Sequence, residues 1–589
     1  MMPEHGRAQE SRQASGSRRD TADQGQPQSR FAAYLPIGPD GRPLRRRAPG
    51  SAPGGHHDPS LGLPVPDTTG GEYPGSPYAV PDRRPTALMP GRRSRLAAVR
   101  RIPQEHALFC TVLLVAAIVR AVVMLGYPPA LWYPDSMPYV TAAVHLAPYA
   151  VRPIGYSFLL WVLRPFHSIA VVSLTQHAMG LASGAALYAL LRRRFRLTAW
   201  AATLASIPSL LSAYAIQIEH FVLSDTFFAL LVTIAVALVL WREVPPIWVC
   251  GLSGLILAEA ALVRSQGLPL ILPFAVYIAT RLPRRRVLIG MLIICTSFAI
   301  PLLSYARWFD QVNGSFQLTT STGAFLYSRV ATFADCSAIR PPADERWLCL
   351  SAPVSKRESE ADYVWAPNSP VQHGPGWEFG AKVNGLATDF ALRAIKAQPF
   401  DYLRTIWDAT TRTFQPASYA SKLYVFPAAL RAVCWPCTPV SLNALGAVNH
   451  SDFRDEYTYN NGGDPNTRVV EPFAGWVRFY QRLVLLPPLL LAVIVLTGLI
   501  GMPFAWRRFG GPALLPWLTG LVIIVTGPAT ADFDSRYVIA SIPALCVAAA
   551  LSLKEIGDFY ATGTQDGLRD PVAARDNPLA VSAGGGGLS

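Results

Sequence analysis

A chain of 589 residues that is 51% apolar, with long apolar runs over 107–306 and 483–553, is a multi-span integral membrane protein. Its formal charge of +14 comes almost wholly from arginine, lysine occurring only at Lys356, Lys382, Lys396, Lys422 and Lys554. That excess is weak evidence for any partner, nucleic acid included. A nucleic-acid reading needs a basic face on a soluble domain with aromatics between the charges, whereas here the arginine clusters fall between apolar spans.

Residues 1–105 are rich in Pro, Gly, Ser, Arg and Gln and show no sustained apolar periodicity, which predicts a disordered tail. No apolar core lies near Met1, so the tail is not a secretory signal peptide. Its end, RRSRLAAVRR at 92–101, abuts the first span. Arginine-rich flanks stay inside, so the amino terminus is expected in the cytoplasm.

The first span, about 107–126, then runs outward and leaves an external loop over 127–168. Within it, 154–166 is too short to cross and is broken by Arg164 and Pro165, and it reads as an interfacial helix. Spans at about 169–191 and 198–217 bracket Arg192, Arg193, Arg194 and Arg196. Further spans at about 221–241, 247–263, 267–281 and 287–306 place Arg281, Arg284, Arg285 and Arg286 inside as well. These spans make a transmembrane core over 106–306.

After residue 306 the apolar pattern stops for about 175 residues. The length of this external segment, 307–482, suits a small mixed domain. Last come spans at about 483–504, 512–529 and 536–553, with Arg507 and Arg508 inside. A disordered cytoplasmic tail is expected over 554–589. The fold class is thus all-α and polytopic, with about ten crossings of the plasma membrane and both termini cytoplasmic.

Cys110, Cys250, Cys295 and Cys546 fall within spans, where a free thiol acts as a small hydrophobe. Cys336, Cys349 and the CWPC pair Cys434 and Cys437 are external, where disulfides are favoured, and their connectivity is open. No second CxxC or histidine pair accompanies the CWPC as a zinc site would require.

Ionisable residues at span ends are costly to keep dry and are candidates for function. On this topology Asp135, Arg152, Glu219, His220, Asp225, Arg264, Asp532, Asp534 and Arg536 share the outer side. A carboxylate can serve as general base towards a hydroxyl. Arginines clamp a phosphate leaving group and stabilise its developing charge. Together they describe sugar transfer from a lipid phosphate. There is no phosphate loop of the GxxxxGK type, so nothing points to nucleotide use.

The series PDS at 134–136, RPIGY at 152–156, EHFVLSD at 219–225, LVRSQGL at 262–268, NGSFQLT at 313–319 and DSRYVIASIP at 534–543 resembles the GT-C membrane glycosyltransferases. The likeness is closest to the bacterial group related to protein mannosyltransferases and arabinosyltransferases, and it covers about 107–320 and 480–553. It implies a polyprenyl-phosphate sugar donor and a glycan, lipid or protein acceptor at the cell surface. It implies Asp135 as the catalytic base acting with inversion, and Arg152, Arg264, Arg536 and Tyr537 as donor-binding residues. Glu219, His220 and Asp225 are then the contacts to sugar or acceptor.

Family members often carry two acids in the first loop, where this chain has Asp135 followed by Ser136. Asp532 and Asp534 could hold a divalent cation, and metal use stays open. A transporter or lipid flippase is the rival class, although no paired halves with interrupted spans are visible. A non-catalytic scaffold is the third reading.

Overall fold

The computed structural model describes residues 104–415, 453–484, 487–504 and 511–573, with side chains to Tyr560. The helices of eight residues or more are numbered in chain order. The first group is α1 (Ala107–Gly126), α2 (Ser136–His145), α3 (Gly155–Leu163), α4 (Ile169–Ala189) and α5 (Ala199–Leu211). It continues with α6 (Ala213–His220), α7 (Asp225–Leu240), α8 (Ile247–Val263), α9 (Ile271–Arg281) and α10 (Arg284–Asn313). After it come α11 (Thr322–Ala331), α12 (Ala381–Ala397) and α13 (Pro399–Thr411). Last are α14 (Phe473–Leu483), α15 (Pro488–Ile500), α16 (Leu514–Thr530) and α17 (Ile542–Ala573). Among the described residues there is no strand, only an isolated bridge between Leu131 and Phe221.

The protein is an α-helical membrane protein. Four described stretches are long and apolar enough to cross a bilayer: Gln104–Gly126, Ile169–Arg194, Arg284–Asn313 and Gly511–Thr530. Two bent pairs, α5 with α6 and α14 with α15, bring the number to six.

Several boundaries differ from the sequence reading for local reasons. The stretch expected as one span over 198–217 is two helices meeting at 47°. Pro208 lies inside α5, and Ser212 caps α6 by accepting from the Ala215 amide. A proline removes one rung of the helix ladder, and a capping serine starts a new one. The expected spans 221–241 and 247–263 are helices of 16 and 17 residues. At 1.5 Å per residue each is about 25 Å long, short of a full crossing without tilt or thinning. The piece over 267–281 begins as a 3-10 turn, Ser265–Leu270, containing Pro269, and only Ile271–Arg281 is α-helical. The last helix runs past Lys554 to Ala573, into the stretch expected to be a disordered tail. The expected disordered tail over 1–105 lies outside the described residues except for its last two, and Cys434 and Cys437 lie outside them as well.

The arginine clusters gather at one end of the bundle. Arg192 pairs with Glu105 at the foot of α1 at 3.0 Å, and Arg281 donates to the Gly511 carbonyl at the foot of α16 at 2.7 Å. The other ends of α1 and α16 lead into the loops that carry Asp135 and Arg536.

Residues of the segment after α10 form their own apolar cluster around Tyr327, Phe333, Leu348, Val371 and Phe390. Cys336 and Cys349 are disulfide-bonded beside it, which resolves one of the open pairings. Arg329, fully buried, pairs with Glu360 at 2.9 Å and donates from Nε to the Ala531 carbonyl at 2.9 Å. A charge that deep is tolerable only when paired. Here the pair also pins this segment to the turn after α16.

Candidate active site

Asp135 closes a loop shaped by its own residues. Ser136 donates its amide to the Tyr133 carbonyl, and its hydroxyl accepts from the Tyr133 amide at 3.0 Å. The bridge to the 219–222 strip, through Leu131 to the His220 carbonyl and Val222 to the Leu131 carbonyl, holds the loop against α6. The Asp135 carboxylate is thereby set between two guanidiniums. Arg152 Nη2 donates to Oδ1 and Arg536 Nη2 to Oδ2, each at 2.7 Å.

Arg536 is oriented by its neighbour two residues back. Asp534 accepts from the Arg536 amide at 3.0 Å and from its Nε at 2.7 Å. Arg264 leaves the end of α8 in an extended conformation that turns it off the helix. Its Nη1 lies 2.6 Å from Asp225 Oδ2 as an ion pair and donates to Ser224 Oγ at 3.2 Å. Aromatic rings bind the two groups together. The Arg264 and Arg536 guanidiniums lie 4.9 and 5.2 Å from the Tyr537 ring, and Arg536 also covers Tyr133 at 4.5 Å. Such ring faces attract cations.

Three arginines and three aspartates thus converge, brought together from the 135 loop, the 152 loop, the α7 and α8 ends and the 532–537 turn. The cluster leaves valences open. Arg536 Nη1 is buried with no hydrogen-bond partner among the described residues, although its side chain is only 5% exposed. Gln266 Oε1, a buried acceptor, has none either. Gln266 is a neighbour of the same turn: a Cβ on Gly527 would stand 3.2 Å from its Nε2, 2.9 Å from the Tyr537 ring and 3.5 Å from the Asp532 carbonyl. An unmatched donor in a dry cationic site is a place for an anionic oxygen.

Burial raises the pKa of Asp135, but the Arg152 and Arg536 guanidiniums outweigh it and hold the carboxyl well below the usual carboxylate range. Asp532 goes the other way. Burial and then the Asp534 charge push it up to about 6. Burial first, then neighbouring aspartates, push the Tyr133 and Tyr537 phenols up, so both stay protonated and can donate.

Asp135, Arg152, Asp225, Arg264, Arg536 and Tyr537, all singled out by sequence, are therefore neighbours. Glu219 and His220, expected as sugar or acceptor contacts, are not part of the cluster. Glu219 is gripped by Arg120 through Nε and Nη2, each at 2.7 Å, and lies 2.9 Å from His177 Nδ1. His220 lies between His177 Nε2 at 3.1 Å and the Tyr127 carbonyl at 2.8 Å. All four side chains are buried, and Gln176 donates to the Glu219 and Phe221 carbonyls beside them. Glu219 thus lies in a separate, closed set of contacts within the bundle.

Sequence reasoning missed Arg120 and His177, although a single arginine amid the apolar AAIVRAVV is itself a strong signal. It also missed Tyr133 and Gln266, which nothing in composition or spacing marks. Among the described residues no group of three or more His, Cys, Asp or Glu side chains is placed to hold a metal ion. Asp534, considered with Asp532 for that role, is turned onto Arg536 instead. No family model matches the chain, and no curated protein and no solved structure matches it either.

Proposed function

We propose that the protein transfers a sugar from a polyprenyl-phosphate donor to a glycan, lipid or protein acceptor, as a GT-C-like glycosyltransferase of the plasma membrane. In this reading the chain crosses about ten times, with both termini cytoplasmic and the acid and arginine cluster facing outward. The observation that carries it is the open Nη1 of buried Arg536 within a group of three arginines. That group suits the phosphate of the donor better than a neutral solute, because charge-assisted contacts to phosphate are the strong ones.

The chemistry follows from the groups present. The acceptor oxygen attacks the anomeric carbon, forming the new glycosidic bond as the bond to the phosphate oxygen breaks. The electron pair leaves on the polyprenyl phosphate, whose charge Arg536, Arg152 and Arg264 stabilise. The acceptor proton passes to a carboxylate, and attack opposite the phosphate inverts the centre.

Arg152 and Arg536 engage both Asp135 oxygens and hold the carboxyl ionised, so it becomes a better proton acceptor when one of them is drawn away. The incoming phosphate competes for those same arginines, which couples donor binding to a free Asp135. Asp532 has no hydrogen bond or ion pair among the described residues, and with a pKa near 6 it is the second candidate acceptor of the proton.

The test is transfer of labelled sugar from a panel of polyprenyl-phosphate donors into membrane glycans, comparing the intact protein with Arg536→Gln and Asp135→Asn at matched expression. Loss of transfer in Arg536→Gln with the donor KM raised supports the clamp. Transfer from no donor, with lipid or sugar flux across vesicles instead, would turn the assignment to a transporter.

A further inference from the structure

Away from the candidate site, the bundle encloses a line of polar groups that the proposed chemistry does not use. It runs from Arg120 on α1 to Glu219 on α6, then His177 on α4, His220 at the end of α6 and the main-chain oxygen of Tyr127. Three contacts link its far part. They are Glu219 Oε2 to His177 Nδ1 at 2.9 Å, His177 Nε2 to His220 Nδ1 at 3.1 Å, and His220 Nε2 to the Tyr127 carbonyl at 2.8 Å.

Each contact needs one hydrogen between its two heavy atoms. The Tyr127 carbonyl brings none, and an ionised Glu219 brings none. Two neutral imidazoles bring one each. Two hydrogens cannot serve three contacts. Arg120 cannot supply the third, because its Nε and Nη2 donate to Glu219 and its Nη1 donates to the Ala116 and Leu210 carbonyls. Turning either ring over would set a carbon against a partner now at hydrogen-bond distance.

We propose that this line binds one proton beyond those of its neutral imidazoles and ionised carboxylate, and that the proton latches the Asp135 loop to α6. The proton resides on His177, on His220 or on Glu219, and each placement completes all three contacts. The loop depends on the same spot. Leu131 donates its amide to the His220 carbonyl at 2.9 Å, and Val222 donates back to the Leu131 carbonyl at 3.1 Å.

Two opposed costs make the proton removable. Holding it gives the otherwise neutral group of Arg120, Glu219 and the two imidazoles one net positive charge in a buried place. Releasing it sets two lone pairs against each other across one of the contacts, leaving buried polar atoms unmatched. The polar groups facing the line are Arg120 from α1, Gln176 from α4, and Arg478 and Tyr480 from α14. Arg478 donates to the Tyr127 phenol at 3.2 Å, and Tyr480 donates to the Leu211 carbonyl. This inference does not depend on the glycosyltransferase reading.

The experiment uses the full chain in nanodiscs with 15N-labelled histidine, titrated from about pH 5 to about pH 9, across the histidine range. His177→Gln and His220→Gln assign the signals, and infrared difference against Glu219→Gln reports the carboxyl. Near pH 6.5 one of the two rings carries hydrogen on both nitrogens, or Glu219 is protonated. That extra proton leaves in one step on raising the pH. Over the same step the exchange protection of the Leu131 and Val222 amides falls roughly tenfold or more. Two neutral rings beside an ionised Glu219 near pH 6.5 would overturn the extra proton. Loss of the proton with unchanged amide protection would overturn the latch. Should a variant fail to fold, the wild-type count of doubly protonated rings through the titration still decides.

Discussion

Two clusters of charge lie in this bundle, and they differ in what they leave open. The inner one, Arg120 with Glu219, His177 and His220, closes on itself: all three Arg120 nitrogens and both Glu219 oxygens have partners inside the protein. The outer one, Asp135 with Arg152, Arg536, Asp534, Arg264 and Asp225, also pairs its charges, yet it keeps a buried guanidinium nitrogen without a partner. Both contain acids and arginines from the ends of apolar helices. The difference between these two clusters is therefore one unmatched valence, at a point where other arginines and aromatic rings also converge.

The largest effect expected is on the closed cluster. Arg120→Ala leaves Glu219 buried without its main partner and should cost about 3–5 kcal/mol. Thermal unfolding in detergent reads that loss, and a shift of only a degree or two would erase the distinction between the clusters. Next is Arg536→Gln in the open cluster. Transfer should fall on the order of 10²–10³-fold, as when one preorganised donor to a developing anion is removed. Its unfolding temperature should move less than that of Arg120→Ala, because Asp135 keeps Arg152 and Asp534 is partly exposed.

Gly180→Ala probes how tightly the inner cluster is built. A Cβ there would stand 1.9 Å from Glu219 Oε1, so the change should destabilise by about 1–3 kcal/mol without altering the donor KM. Smallest is the effect of acidity on transfer. A base must be ionised to act, so if Asp532 takes the proton, the rate falls about tenfold per pH unit below its pKa of about 6. Asp135, held ionised by its arginines, would give no such limb. An Asp532→Asn variant that keeps the acidic limb removes Asp532 from the step.

Much of the outer cluster was legible in the sequence, because Asp135, Arg152, Asp225, Arg264 and Arg536 each sit at the end of an apolar run. The parity of crossings then predicts a common side for all of them. What parity cannot tell is depth. Glu219 and Asp225 are six residues apart and both acidic, yet α6 carries Glu219 into the bundle towards Arg120 while Asp225 begins α7 beside Arg264. The turn between them decides their fates, and it is set by contacts to Leu131 that no local pattern encodes. The break at Ser212 was likewise hidden. Hydropathy averages over Pro208 and Ser212, and neither lowers it enough to end a span. Tyr133 acquires meaning only because Arg536 stacks on it.

The break between α5 and α6 also constrains when the bundle can be finished. A bent helix frees backbone groups that hydrocarbon cannot satisfy. Here the Leu210 carbonyl takes a hydrogen bond from Arg120, the Leu211 carbonyl takes one from Tyr480, and the Ala213 amide gives one to the Val484 carbonyl. Arg120 is made before the break, but Tyr480 lies 269 residues after Leu211. A ribosome therefore delivers the bent crossing to the membrane long before the residues that close it. Until α14 arrives, two of those three groups must rely on water or on another chain for their hydrogen bonds.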